Sequence, residues 1–149
     1  MSLQVDIMTA MKAAMKAKDQ TALAALRAVK SEILLAQTAT GSKEEISEEQ
    51  EIKILSKMVK QRKDSAAIFL EQDRNDLAEP ELAQAEIISQ FLPTQLSEEE
   101  ITAEVEKTIA ATGAEGMKDM GKVMGMVSKT LAGKADGKTI SSIVKSKLT

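Results

Sequence analysis

The chain has 149 residues, with 20 basic and 23 acidic side chains for a net charge of −3, and it contains neither histidine nor cysteine. Disulfides, thiolate nucleophiles and zinc–cysteine sites are therefore excluded, and the commonest general base and neutral metal ligand are both missing. No metal and no cofactor is expected, and Phe69 and Phe91 are the only aromatic side chains.

Ala, Leu, Met, Glu and Lys dominate, which is a helical composition. No apolar run approaches the roughly 18 residues needed to span a bilayer, and Met1-Ser2-Leu3 does not open a signal peptide. The expectation is a cytoplasmic protein without a membrane partner.

Ser2 can cap a first helix to about Lys18, with Leu3, Ile7, Met8, Met11 and Met15 on its apolar face. Asp19 can cap a second, whose stripe is Ala22, Leu23, Leu26, Val29, Ile33 and Leu34. Thr38 to Ser42, centred on Gly41, forms a polar break. A third helix opens at the capping box Ser47-Glu48-Glu49-Gln50 and runs to about Glu71, with Leu55, Met58, Val59, Ala66 and Phe69 inward. A fourth runs to about Phe91 with Leu82, Ile87, Ile88 and Phe91 inward. Pro80 fits it only in the first turn.

Pro93 ends that helix, and Pro93-Thr94-Gln95-Leu96 reads as a linker. Ser97-Glu98-Glu99-Glu100 is a second capping box, opening a helix with Ile101, Val105 and Ile109 at i+4 spacing. Met117 to Leu131 reads as the next helix, Gly133 to Gly137 as a loop and Lys138 to Leu148 as the last helix. The expected fold is all-α: an N-terminal four-helix domain over residues 1–93, then a three-helix domain over residues 94–149.

Charge is sorted along the chain. From Gly116 onward seven lysines face two aspartates, a balance of +5, whereas residues 1–115 carry 13 basic and 21 acidic residues, a balance of −8. Such sorting invites a polyanion to one end. Lys118, Lys122 and Lys129 fall on one side of the Met117–Leu131 helix, opposite a stripe of Met117, Met120, Met124, Val127 and Leu131. Lys134, Lys138 and Lys145 can extend the basic surface, and Asp136 can cap the last helix.

Gly121 and Gly125 lie one turn apart between stripe and lysines. Each costs a helix roughly 1 kcal/mol relative to alanine, so something is expected to approach the backbone closely there, either another helix or an RNA backbone. Arg62 falls in the middle of the third helix's apolar stripe. It is expected to form a buried ion pair with Glu32, Asp76 or Glu86, or else to mark a site at a helix junction. Arg27 and Lys30 could form a second basic patch with Lys57 or Lys60. The run Ala132 to Thr139 nearly spells a nucleotide-binding P-loop, but it has alanine where that loop needs glycine and follows a helix, not a strand.

Several segments together resemble the YqeY family. They are Leu26-Arg27-Ala28-Val29-Lys30, Val59 to Ser65, Arg74-Asn75-Asp76-Leu77, Phe91 to Ser97, Met117 to Met124 and Gly133 to Lys138, in an order that spans the chain. Asp73 departs from the pattern, since members of that family often carry glycine before the arginine. The region after Pro93 is also similar to the tail of GatB, a subunit of the glutamine-dependent tRNA amidotransferase. The resemblance implies a tRNA-contact role for Lys118, Lys122, Lys129, Lys134 and Lys138, and an association with carbon–nitrogen ligase activity that uses glutamine as amido donor. It supplies no catalytic residue.

Three function classes follow. The leading one is a helical accessory protein that binds tRNA or a tRNA-handling complex through its basic end. The second is a protein–protein adaptor using a Gly121/Gly125 groove. The third is a subunit taking part in glutamine amide transfer, for which no nucleophile with a matched base is present.

Overall fold

The computed structural model describes residues 2–39, 41 and 45–149. Among them are seven α-helices, one 3-10 turn and no strand, so the chain is all-α. It divides into two compact units, Met1–Leu92 and Pro93–Thr149. The polar break expected over Thr38 to Ser42 lies partly outside the described residues, at Thr40 and Ser42.

The first unit is two antiparallel helix pairs. α1 (Leu3–Ala17) starts where the Ser2 hydroxyl accepts a hydrogen bond from the Val5 amide at 3.4 Å. It ends in a Schellman motif: Lys18 takes φ 55° and the Asp19 amide donates to the Ala14 carbonyl at 2.9 Å. Asp19 then caps α2 (Gln20–Ala39), its carboxylate accepting from the Ala22 amide at 3.0 Å. Only Lys18 and Asp19 separate the helices, so α2 folds straight back along α1.

α3 (Glu48–Glu71) opens with a complete capping box, Gln50 N to Ser47 Oγ at 3.3 Å and Ser47 N to Gln50 Oε1 at 3.1 Å. Its far end is a second Schellman motif. The Arg74 amide reaches the Phe69 carbonyl at 2.8 Å and the Asp73 amide reaches Leu70 at 3.2 Å, which forces Asp73 to φ 56°. A Cβ is disfavoured in that left-handed turn, so Asp73 sits where glycine would be unstrained. Arg74 then clamps Asp76 with Nε and Nη2 at 3.0 and 2.9 Å, which holds the Asp76 carboxyl below its usual range.

α4 (Asn75–Ser89) contains Pro80 as its sixth residue, one turn deeper than expected. The missing amide leaves one carbonyl without its helical donor, and the loss is tolerable because Asp76 and Pro80 are exposed and water can substitute. α4 packs along α3 and against α2, while α1 packs on α2. The core joins Ile7, Leu26, Val29, Leu55, Met58 and Ile88 with smaller neighbours.

Four residues expected in the core are corrected here. Met8 and Met15 are each 51% exposed and Ala14 is buried in their stead, Leu34 is 51% exposed, and Leu82 is 43% exposed beside buried Ala85. Each lies on the flank of its stripe, where no further helix covers it.

The second unit is α5 (Glu98–Thr112), a 3-10 turn (Met117–Asp119), α6 (Met120–Thr130) and α7 (Gly137–Leu148). Ser97 Oγ accepts from the Glu100 amide at 3.2 Å, which is the serine half of the expected box. Gly113 ends α5 at φ 66°. All three helices touch one another around Ile101, Val105, Val123, Val127, Ile140 and Val144. The segment before α5 is held down within the unit, with the Leu96 amide on the Lys134 carbonyl at 2.8 Å and Gln95 Nε2 on the Gly133 carbonyl at 2.6 Å.

Candidate nucleic-acid interface

α6 exists because its two buried valines, with Leu131 just beyond, recur at i+4 spacing. Val123, Val127 and Leu131 are the buried seam, and Met120 and Met124 flank it against the core. Val123, outside the stripe expected from the methionine spacing, is fully buried. Met117 was included there, yet it is 43% exposed, because the chain enters as a 3-10 turn. Such a turn advances about 120° per residue instead of about 100°, so Met117 rotates away from the seam.

Lys122 and Lys129 are seven residues apart on this helix, which places them roughly 20° from each other around the axis. Both are exposed, on the side away from Val123 and Val127. Lys118, in the 3-10 turn, is displaced from the line an unbroken helix would give it, to roughly 80° from Lys122. Lys134 lies in the connection to α7 and Lys138 in its first turn, both exposed.

None of these five lysines is in an ion pair among the described residues. The glutamates of α5 do not reach them; Glu106 pairs instead with Lys147 at 2.8 Å. The two acids of the basic segment serve their own turns. Asp119 accepts from the Glu115 amide at 3.1 Å, and Asp136 accepts from the Thr139 hydroxyl at 3.4 Å. Asp136 therefore occupies the N-cap position of α7 without bonding its amides, a correction to the expected cap.

The Gly121 and Gly125 expectation is corrected in one respect. A Cβ built at either would meet nothing within 4 Å, so among the described residues no neighbouring helix of this unit approaches that backbone. The reason is the seam: with Val123 and Val127 inward, both glycines turn outward, next to Lys122 and Lys129.

Arg62 forms no ion pair among the described residues. Its guanidinium is half-buried between α3 and α4, donating from Nε to Gln84 Oε1 at 3.1 Å and from Nη1 to the Met58 carbonyl at 3.3 Å. Neutral acceptors suffice because part of the group remains hydrated. Asp76, one expected partner, is engaged by Arg74. Gln84, the residue that answers Arg62, carries no sequence signal of its own, because an amide on a helix flank is commonplace.

Comparison with known proteins adds one family and one relative. The family model described as "Yqey-like protein" matches residues 4–148. "Altered inheritance of mitochondria protein 41, mitochondrial" of Clavispora lusitaniae is 40% identical over 101 residues, which are 66% of this chain and 55% of that protein. The chain thus spans about half the length of that curated relative. With a family match across nearly its whole length, the chain belongs to the YqeY-like family.

Proposed function

We propose that this chain is a helical accessory protein that binds tRNA, or a complex handling tRNA, through Lys118, Lys122, Lys129, Lys134 and Lys138. In this reading α1–α4 form a four-helix frame, and α5–α7 form a GatB-tail-like three-helix domain that meets the nucleic acid. The observation that carries it is the set of five exposed lysines without carboxylate partners among the described residues, on a unit where Asp119 and Asp136 serve their own turns and the other acids lie on α5 or, as Glu115, just after it.

Phe69 is half-buried on α3 and Phe91 packs against the first unit's core. α5–α7 carry no aromatic side chain on which a base could stack, so recognition there is by phosphates and shape, with little sequence preference. Neutralising three to five phosphates gives a slope of log K on log salt of about −2 to −5. The association with carbon–nitrogen ligase activity is through the complex served, in the cytoplasm, and not through catalysis by this chain.

The test is a triple charge reversal, Lys118→Glu, Lys122→Glu and Lys129→Glu, read by tRNA filter binding with folding checked by circular dichroism. Weakened binding by a folded variant supports the proposal, and unchanged affinity ends it. The open glycine stripe favours a second reading, an adaptor whose partner helix packs on Gly121 and Gly125. A protein captured through nuclease treatment and high salt would favour that reading. Sustained ammonia release from glutamine by the pure chain would favour the amide-transfer class over both.

A further inference from the structure

The flank of the α1/α2 pair is built differently from the basic face of the second unit. A cleft of about 70 Å³ opens there, lined by Gln4, Ile7, Met8, Lys30, Ile33 and Leu34. Early residues of α1 meet late residues of α2, as an antiparallel pair requires. The lining is apolar except for Gln4 and Lys30.

Past the cleft the same side of each helix carries on in register: Gln4, Met8, Met11 and Met15 follow i, i+4, i+7, i+11 spacing on α1, and Leu23, Arg27, Lys30 and Leu34 do so on α2, with Leu23 buried in the core and Met11 partly buried against it. Met8, Met15 and Leu34 are each half exposed. Lys12, Arg27 and Lys30 are exposed and enter no ion pair among the described residues, whose salt bridges are made by other side chains. Asp6 and Glu32 lie roughly 100° or more around their helices from this side. Among the described residues the flank is thus an apolar strip edged by cations, and its one nearby carboxylate, Asp19 at the α1/α2 junction, is engaged in capping α2.

We infer that this flank docks one helix of a partner protein, an acidic amphipathic helix whose apolar side chain enters the cleft between Met8 and Leu34 while its carboxylates meet Lys12, Arg27 and Lys30. Charge complementarity selects the acidic partner. The concave cleft selects a helix over a lipid surface, because a bilayer has no protruding side chain to fill it. A nucleic-acid backbone offers nothing apolar for Ile7, Met8, Ile33 and Leu34, and the flank has no aromatic group for a base. Methionines suit such a groove, since an unbranched thioether side chain adapts its shape to the side chain it receives. α1 is about 22 Å long, so the matching partner segment is about 15 residues.

The test uses the full chain and a fluorescein-labelled 15-residue synthetic helix with leucine at i, i+4 and i+7 and glutamate elsewhere on the flanks. Fluorescence anisotropy is expected to show saturable binding that Arg27→Glu with Lys30→Glu weakens at least tenfold. Leu34→Asp is expected to abolish it. All three positions are exposed, so the variants should keep the parent's melting temperature. Amide chemical-shift changes should cluster on α1 and α2.

Three results would overturn the inference: no binding of the acidic helix up to about 1 mM, equal binding of an analogue with lysine in place of every glutamate, or displacement of the bound helix by tRNA. Co-sedimentation with phosphatidylcholine–phosphatidylserine vesicles that the helix does not compete would assign the flank to lipid and overturn it as well.

Discussion

The proposed interface makes a quantitative demand on salt dependence. If each of the five unpaired lysines releases one counterion from tRNA, log K falls with log salt at a slope of about −3.5 to −4.5. Raising monovalent salt fourfold, from about 50 to 200 mM, then weakens binding roughly 100- to 500-fold. The double variant Lys122→Gln and Lys129→Gln removes two contacts that lie roughly 20° apart on α6, so the slope should shrink by about 1.4–1.8. Lys147 is the internal control, since its ammonium is already held by Glu106 at 2.8 Å. Lys147→Gln should leave the slope where it was. Titrations of labelled tRNA at five or six salt concentrations measure all three slopes. A double variant with the parent slope, or a Lys147→Gln chain that loses as much, would refute the reasoning that unpaired lysines on α6 make the contact.

Three further outcomes follow from the structure. Asp73→Gly relieves the φ 56° turn after α3 and should stabilise the chain by about 0.5–1 kcal/mol in urea denaturation, whereas Asp73→Val should destabilise it by a similar amount or more. Gly125→Ala meets nothing within 4 Å and should raise stability by up to about 1 kcal/mol; if it also weakens capture of a protein partner, that partner packs on the bare backbone. Glu51, half-buried and near Glu45 and Glu48, has its carboxyl pushed above the usual range, first by burial and then by those neighbours. The folded state therefore holds that proton more tightly than the unfolded chain, so this group's contribution to stability falls as pH rises through and above the normal carboxylate range. Glu51→Gln should raise the melting temperature at pH 7 and lose that advantage as pH falls toward 4.

Much of the fold was legible because its signals are local. Ser47 with Gln50, Ser97 with Glu100 and Asp19 with Ala22 are hydrogen-bonding arrangements within four residues, and the side chains that announce them also make them. The segregation of lysines after Gly116 was likewise plain. Less legible was which edge of each stripe finds a neighbour. Met8, Met15, Leu34 and Leu82 are apolar and well spaced, yet they stay exposed because no described helix of their unit lies over their flanks. Met117 fell out of its seam because one 3-10 turn changes the angular step, and periodicity alone does not report such a turn.

The sequence by itself determined that this chain is helical, where most of its helices begin, and that its cations gather toward one end, since propensity, capping and net charge are properties of short segments. Only the tertiary structure decided that Gly121 and Gly125 face open space, that Arg62 is answered by an amide instead of a carboxylate, and that Glu106 takes Lys147 while Lys118, Lys122, Lys129, Lys134 and Lys138 form no ion pair among the described residues. Those outcomes depend on how helices rotate to bury their best seams, and that rotation is fixed by packing between segments far apart in the chain.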